Sequence, residues 1–223
     1  MILCFDLDDT LYNEIDYVYS GFLQVSYFLS ENHLNVSKND VFKKLKLIEK
    51  RYGRGDTFDR LLGLYNIRSK ALLRKCISVY RTHKPSIKLD FGTIKLLSLC
   101  KDTFGHLYLV TDGNITVQRN KIRALNLHTF FHKCIPTYQY GIGCKKPSVE
   151  VFKKICRWEG KKLQQITYIG DNPSKDFVGL KKHGATTICL HNEKFPAKYF
   201  PISHQAHYNI FKLKDILPIL LDK

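Results

Sequence analysis

Ile2-Leu3-Cys4-Phe5-Asp6-Leu7-Asp8-Asp9-Thr10 follows the first methionine, and its reading decides the fold. Ile2–Phe5 is an apolar run too short for a helix, and it leads straight into acids, the pattern of a strand buried on both faces. Asp6 and Asp8 alternate with Leu7, so in an extended chain both carboxylates face one side. Two such carboxylates repel each other unless a cation shares them, and a hard Mg²⁺ ion with oxygen ligands suits that arrangement.

Working outward, Leu107–Thr111, Cys134–Pro136, Ile166–Gly170, Thr187–Leu190 and Tyr208–Phe211 are further short apolar runs. Helical patterns at Ile115–Leu125, Val149–Trp158 and Lys175–His183 separate most of them. Alternating strands and helices predict an α/β fold with a Rossmann-like, doubly wound parallel sheet. The first strand ends near Asp6, yet the next convincing one begins only at Leu107. A parallel crossover needs roughly a dozen residues, so the intervening chain is expected to hold an inserted unit.

That stretch reads as all-helical. Ile15, Val18, Tyr19, Phe22, Val25, Phe28 and Leu29 recur at helical spacing within Glu14–Leu29. Ser37 is expected to cap a second helix with Asp40 as its acidic partner and Val41, Leu45 and Ile48 as its apolar stripe. Arg51–Asp56, with two glycines, reads as a loop; Thr57–Tyr65 and Ser69–Thr82 read as helices, Lys84–Asp90 as a linker and Phe91–Phe104 as another helix. The predicted division is residues 1–10 and 89–223 for the sheet domain and 11–88 for the helical insertion.

In open parallel sheets, ligands bind beyond the carboxyl ends of the strands. Three predicted strands end there in polar groups: Asp6 to Thr10, Thr111-Asp112-Gly113-Asn114, and Gly170-Asp171 through Asp176. Any one such cluster is ordinary turn chemistry, but three on one sheet, with a lysine nearby, form a constellation.

Here the chain resembles the haloacid-dehalogenase-like (HAD) hydrolase superfamily. Its D-x-D-x-T motif is matched by Asp6, Asp8 and Thr10, its second motif by Thr111, its lysine before proline by Lys146-Pro147, and its G-D-x-x-x-x-D form by Gly170-Asp171 with Asp176. The helical insertion after the first motif resembles the family's C1 cap. The resemblance implies a HAD-like core and a role for each matching position. Asp6 would be the nucleophile that forms an aspartyl-phosphate, and Asp8 the general acid and then base. Thr111 would hydrogen-bond a phosphoryl oxygen, with backbone N–H groups around Leu7, Asp8 and Asp112, and Gly113 beside them, completing the phosphoryl pocket. Lys146 would neutralise charge; it is preferred to Lys145 because it directly precedes the proline. Mg²⁺ would be held by Asp6, the Asp8 carbonyl and Asp171, with Asp176 a direct or water-mediated partner. Many relatives carry Asn or Ser where Asp112 stands, which leaves the role of its side chain open.

Composition bounds the function. The 223 residues are 44% hydrophobic and 25% charged, an ordinary globular balance that excludes a disordered or collagen-like chain. No apolar run approaches the roughly 18–20 residues of a membrane span, and no signal peptide is recognised, so the expected location is the cytoplasm. Seven cysteines form no C-x-x-C or zinc spacing and read as reduced thiols, several of them in the core. The net charge of +16 attracts anions, whether phosphate esters or nucleic acid, but the lysines are scattered and a general solubility bias explains them equally well. The histidines are expected mostly at the surface.

A dehalogenase has no use for an acid at Asp8, so phosphoester chemistry is favoured, and the missing membrane spans exclude an ion pump. The expected function is Mg²⁺-dependent hydrolysis of a small phosphorylated metabolite, a sugar phosphate or nucleotide. A phosphomutase using the same motifs is the alternative; a basic nucleic-acid binder or end-processing enzyme fits a capped site poorly. Within the insertion, Arg54 between Gly53 and Gly55 is the expected cap contact, gripping a second anionic or hydroxyl-rich group of the substrate. Oligomeric state is not legible.

Overall fold

The computed structural model describes residues 1–222. The chain forms two compact units, one of Met1–Asn13 with the chain from Lys88 onward, the other Glu14–Ile87.

The first unit is built on six parallel strands: β1 (Ile2–Phe5), β2 (Leu107–Thr111), β3 (Lys133–Pro136), β4 (Ile166–Gly170), β5 (Thr186–Leu190) and β6 (Tyr208–Ile210). Their order across the sheet is β3-β2-β1-β4-β5-β6. The chain winds outward from β1 to one edge, then returns to β4 on the other side of β1, and that reversal is where such sheets open a crevice. Phe5 pairs in register with Leu109 on one side and Ile169 on the other, so the carboxyl ends of β1, β2 and β4 lie level.

Every residue of β1, β2 and β4 is buried, because helices cover both faces of the sheet. Ile2, Cys4, Tyr108, Val110, Ile166 and Tyr168 share one apolar cluster with Val151, Phe152 and Ile155 of the helix Glu150–Glu159. Leu3 and Phe5, of opposite parity, are equally buried, and Phe5 packs edge-to-face on Phe131.

The second unit is helical: α1 (Glu14–Asn32), α2 (Lys38–Tyr52), α3 (Thr57–Leu64) and α4 (Lys70–Thr82). Val18, Phe22, Val25 and Leu29 of α1 meet Val41, Leu45 and Ile48 of α2, Leu61 and Leu62 of α3 and Cys76 of α4 in its core. Ser37 caps α2, accepting the Asp40 N–H at 3.2 Å and donating to the Asp40 carboxylate at 2.7 Å. The remaining helices, α5 (Phe91–Phe104), α6 (Ile115–Ala124), α7 (Glu150–Glu159), α8 (Val178–Lys181) and α9 (Ile216–Leu221), belong to the first unit. Among the described residues no helix is long and apolar enough to cross a membrane. All seven cysteines are free.

One element differs from the sequence reading. The helix expected over Lys175–His183 shrinks to α8, because the Asp176 carboxylate accepts the Asn172 N–H at 2.9 Å and the Lys175 and Asp176 N–H groups turn back to the Asn172 carbonyl. Side chains that bond the backbone locally compete with the helix in this way. At the C-terminus Pro218 sits within the first turn of α9, where a missing N–H costs nothing.

α8 seats directly on the loop after Lys146. A Cβ placed on Gly179 would lie 2.0 Å from the Pro147 carbonyl oxygen, a backbone atom with no rotamer to yield. Gly179→Ala is therefore expected to destabilise the protein by about 1–3 kcal/mol in urea denaturation. Gly143→Ala, whose Cβ would meet nothing within 4 Å, serves as the control and is expected to be near neutral.

Candidate active site

The carboxyl ends of β1 and β4 deliver the acids. Asp6 follows β1 directly, and its N–H extends the ladder to the Ile169 carbonyl at 2.8 Å. Asp171 follows β4, and the turn beyond it brings back Asp176. Carboxylate oxygens of Asp6, Asp171 and Asp176 all lie within 4.8 Å of one another, and each residue is at most 3% exposed. The glycine of Gly170-Asp171 is required by this convergence: a Cβ at Gly170 would lie 2.6 Å from Asp176 Oδ2.

Lys146 enters the cluster with its side chain fully buried. Its Nζ lies 3.0 Å from Asp6 Oδ2, 2.7 Å from Asp176 Oδ1 and 2.7 Å from the Tyr168 hydroxyl, to which it donates. Burial opposes its charge, but the carboxylates of Asp176, Asp6 and Asp112 outweigh that and raise its pKa. Lys145, by contrast, is exposed. Asp112 fixes the loop that carries Lys146: its Oδ1 accepts the Lys146 N–H at 3.2 Å and the Thr137 hydroxyl at 2.6 Å. The side chain left open by the sequence thus ties the end of β2 to the lysine loop.

Lys146, with Lys175 largely buried nearby, does not offset the burial of three acids. Burial pushes Asp6 up to about 6, with Lys146 opposing and Asp176 adding to the rise. Asp171 is pushed up to about 8, again by burial first and then by the charges of Asp6 and Asp176; a 2.6 Å hydrogen bond from Asn192 counters only part of this. Three close, buried carboxylates with oxygen-only donors are what a hard divalent cation requires, so the donor set fits Mg²⁺.

Asp8 lies apart from this cluster. Its Oδ1 receives Lys121 Nζ at 2.7 Å and the Tyr12 hydroxyl at 2.8 Å, and its Oδ2 receives Gln118 Nε2 at 2.9 Å. Although burial opposes ionisation, Lys121, Gln118 and Tyr12 together hold its carboxyl below the usual range. Gln118 also reaches Thr111 Oγ1 at 2.6 Å and the Asp112 carbonyl at 2.9 Å, joining the first two motifs. Gly113 has φ 137°, and a Cβ there would press on the Gln118 side chain at 3.3 Å. The Leu7 carbonyl accepts the N–H groups of Thr10 and Leu11, which folds the first motif into a turn with Asp9 at φ 52° and its carboxylate 2.5 Å from Lys194 Nζ.

The structure therefore gathers Asp6, Lys146, Asp171 and Asp176 at one point and links Asp8 with Thr111 through Gln118. Arg54 lies in the loop between α2 and α3, where its guanidinium is 2.5 Å from Glu14 and 3.9 Å from Glu49. Sequence reading missed Tyr12, Gln118, Lys121, Tyr168 and Asn192. For two of them there was a signal: Gln118 and Lys121 occupy, with Ile122, the buried stripe of α6, where apolar residues belong.

Comparison with known proteins shows the family and the fold. A family model described as haloacid dehalogenase-like hydrolase matches residues 3–190. A protein of Methanocaldococcus jannaschii named glyceraldehyde 3-phosphate phosphatase is 29% identical, over 98% of this chain and 96% of its own. A protein of the same name from Pyrococcus abyssi is 26% identical, over 98% and 93%. Among solved structures, a HAD hydrolase of Bacillus subtilis bound to magnesium superposes with a TM-score of 0.69 at 21% identity, over 98% of this chain and 97% of that one. A HAD phosphatase of Thermococcus onnurineus gives 0.60 at 24% identity, with 98% and 97% covered.

The raised carboxylates make a signed prediction. Unfolded aspartates titrate near 4, so the metal-free folded state holds its protons more tightly. That contribution to stability is intact below about pH 4 and is lost as the pH rises through about 6 for Asp6 and about 8 for Asp171. Mg²⁺ favours the ionised carboxylates, so it is expected to raise the melting temperature more at pH 8 than at pH 5, relative to chelator. An equal or larger gain at pH 5, measured by thermal melts, contradicts the assignment.

Proposed function

Because the chain belongs to the haloacid dehalogenase-like hydrolase family, we propose that it is a Mg²⁺-dependent phosphatase of small sugar phosphates, with a triose phosphate as the first substrate to test. The observation that carries this reading is the pair of carboxylates in the first motif. Asp6 sits against Lys146 as a nucleophile, and Asp8, two residues on, offers a second carboxyl that phosphoester cleavage uses and dehalogenation does not. The names of the relatives from Methanocaldococcus and Pyrococcus support the triose phosphate.

In this reading a carboxylate oxygen of Asp6 attacks phosphorus as the bond to the ester oxygen breaks, and Asp8 gives that oxygen a proton. The alcohol leaves and the phosphoryl group stays on Asp6. Asp8, now the anion, takes a proton from a water molecule as its oxygen attacks phosphorus; the bond to Asp6 breaks and phosphate is released. Lys146 offsets charge on Asp6 and on the phosphoryl oxygens, and Thr111 donates to one of those oxygens. The cation would be held by Asp6 and Asp171, with Asp176 and the Asp8 carbonyl completing the set. When bound it supplies charge neutralisation between nucleophile and phosphoryl group. The helical unit Glu14–Ile87 is read as a C1-type cap.

The test is a panel of metabolite phosphates with Mg²⁺, with Asp6→Asn as the blank. Wild-type protein is expected to turn over sugar phosphates, triose phosphates foremost, and Asp6→Asn to lose about 10⁴-fold or more in kcat. Turnover of no phosphomonoester in the panel, or full activity of Asp6→Asn, contradicts the reading.

A further inference from the structure

Two residues outside the four motifs control where the Asp8 carboxylate points. Lys121 carries an amine whose side chain is 3% exposed, and it lies 2.7 Å from Asp8 Oδ1. Gln118, one turn earlier on α6, is 1% exposed and holds Oδ2 at 2.9 Å. Both oxygens of Asp8 are thereby fixed from the same face of one helix, with Tyr12 adding a donor from the first motif's own turn. The Gln118 amide has two hydrogens but three acceptors within reach, on Asp8, Thr111 and Asp112, so it is the junction between β1 and β2 chemistry.

Packing does not account for this arrangement. A buried lysine–carboxylate pair gains little stability over apolar residues of similar volume, because desolvation offsets the attraction. A leucine at 121 would complete the stripe of α6 that Ile122 and Leu125 already form. What the pair does achieve is separation. Three carboxylates, those of Asp6, Asp171 and Asp176, converge, whereas Asp8, only two residues from Asp6, is turned to α6. A fourth free carboxylate at that distance would be drawn to any divalent cation the other three hold.

Resting on the phosphatase reading, we propose that Lys121 and Gln118 are positioning residues that hold the Asp8 carboxylate off the cation cluster and aim it at the leaving-group oxygen. Neither touches the phosphoryl group in this account; Lys121 acts through Asp8, and Gln118 through Asp8 with a second bond to Thr111. Their loss therefore costs most when the leaving oxygen needs its proton, and little when it does not.

The experiment compares Lys121→Met and Gln118→Met with wild type on two esters: the best alkyl phosphate of the panel, a poor leaving group, and 4-nitrophenyl phosphate, a good one. Each variant is expected to lower kcat on the alkyl ester by about 10- to 100-fold with KM within about threefold, and to lower kcat on the aryl ester by less than about threefold. Lys121→Arg, which keeps a cation in reach of Asp8, is expected to recover part of the loss. In an Asp8→Asn background, Lys121→Met is expected to add no further defect, since its route is already cut. Gln118→Met, which removes no charge, keeps the comparison available should Lys121→Met fail to fold. Equal losses on both esters, or additive losses with Asp8→Asn, overturn the proposal and leave the phosphatase reading standing. Wild-type protein inert on both esters overturns that reading and the proposal with it.

Discussion

Three carboxylates buried within one small volume, with Lys146 among them and Lys175 close by, are the constraint to which the rest of the first unit conforms. Asp6, Asp171 and Asp176 reach that volume only because β1 and β4 are adjacent and in register, so that their first residues beyond the sheet fall side by side. Gly170 has no side chain because Asp176 takes the space, and Gly179 has none because the lysine loop does. Asp112 holds that loop by the Lys146 N–H, and Tyr168 presents its hydroxyl to Lys146 from within the apolar core. Each feature makes sense as support for a charge cluster that is costly to bury.

The two carboxylates of the first motif show how environment divides labour. Asp6 is raised to about 6 by burial and like charge, whereas Asp8 is held below the ordinary range by Lys121, Gln118 and Tyr12 despite its burial. The shifts on these two neighbouring acids run in opposite directions because their surroundings differ. A cation shared with Asp171 would restore Asp6 as an anionic nucleophile. Asp8, kept apart, has both carboxylate oxygens held by those three donors.

Much of the sheet was legible because its strands are buried on both faces and therefore read as unbroken apolar runs. Leu107–Thr111 and Ile166–Gly170 have the bounds the sequence predicts. The stretch around Asp176 was misread as helix because its local side-chain bonds to the Asn172 backbone leave no trace in periodicity. The same distinction holds in the site. Acids at strand ends announce themselves, since polar residues abruptly follow apolar ones. Tyr168 does not, because a tyrosine inside Ile166–Gly170 looks like any large core residue until its hydroxyl is seen against Lys146. Gln118 and Lys121 were visible only as polar residues on a buried helical stripe, and that stripe is known only once α6 is placed against the sheet.

The central claim is that Asp6 accepts the phosphoryl group. Rapid mixing of the protein with substrate and Mg²⁺, acid quenching within a turnover and borohydride reduction of the acyl phosphate locate the attachment by peptide mass spectrometry. The account predicts reductive labelling at Asp6 and at no other carboxylate. Steady turnover with Asp6 unlabelled, or with the phosphoryl group found on a histidine, would contradict it.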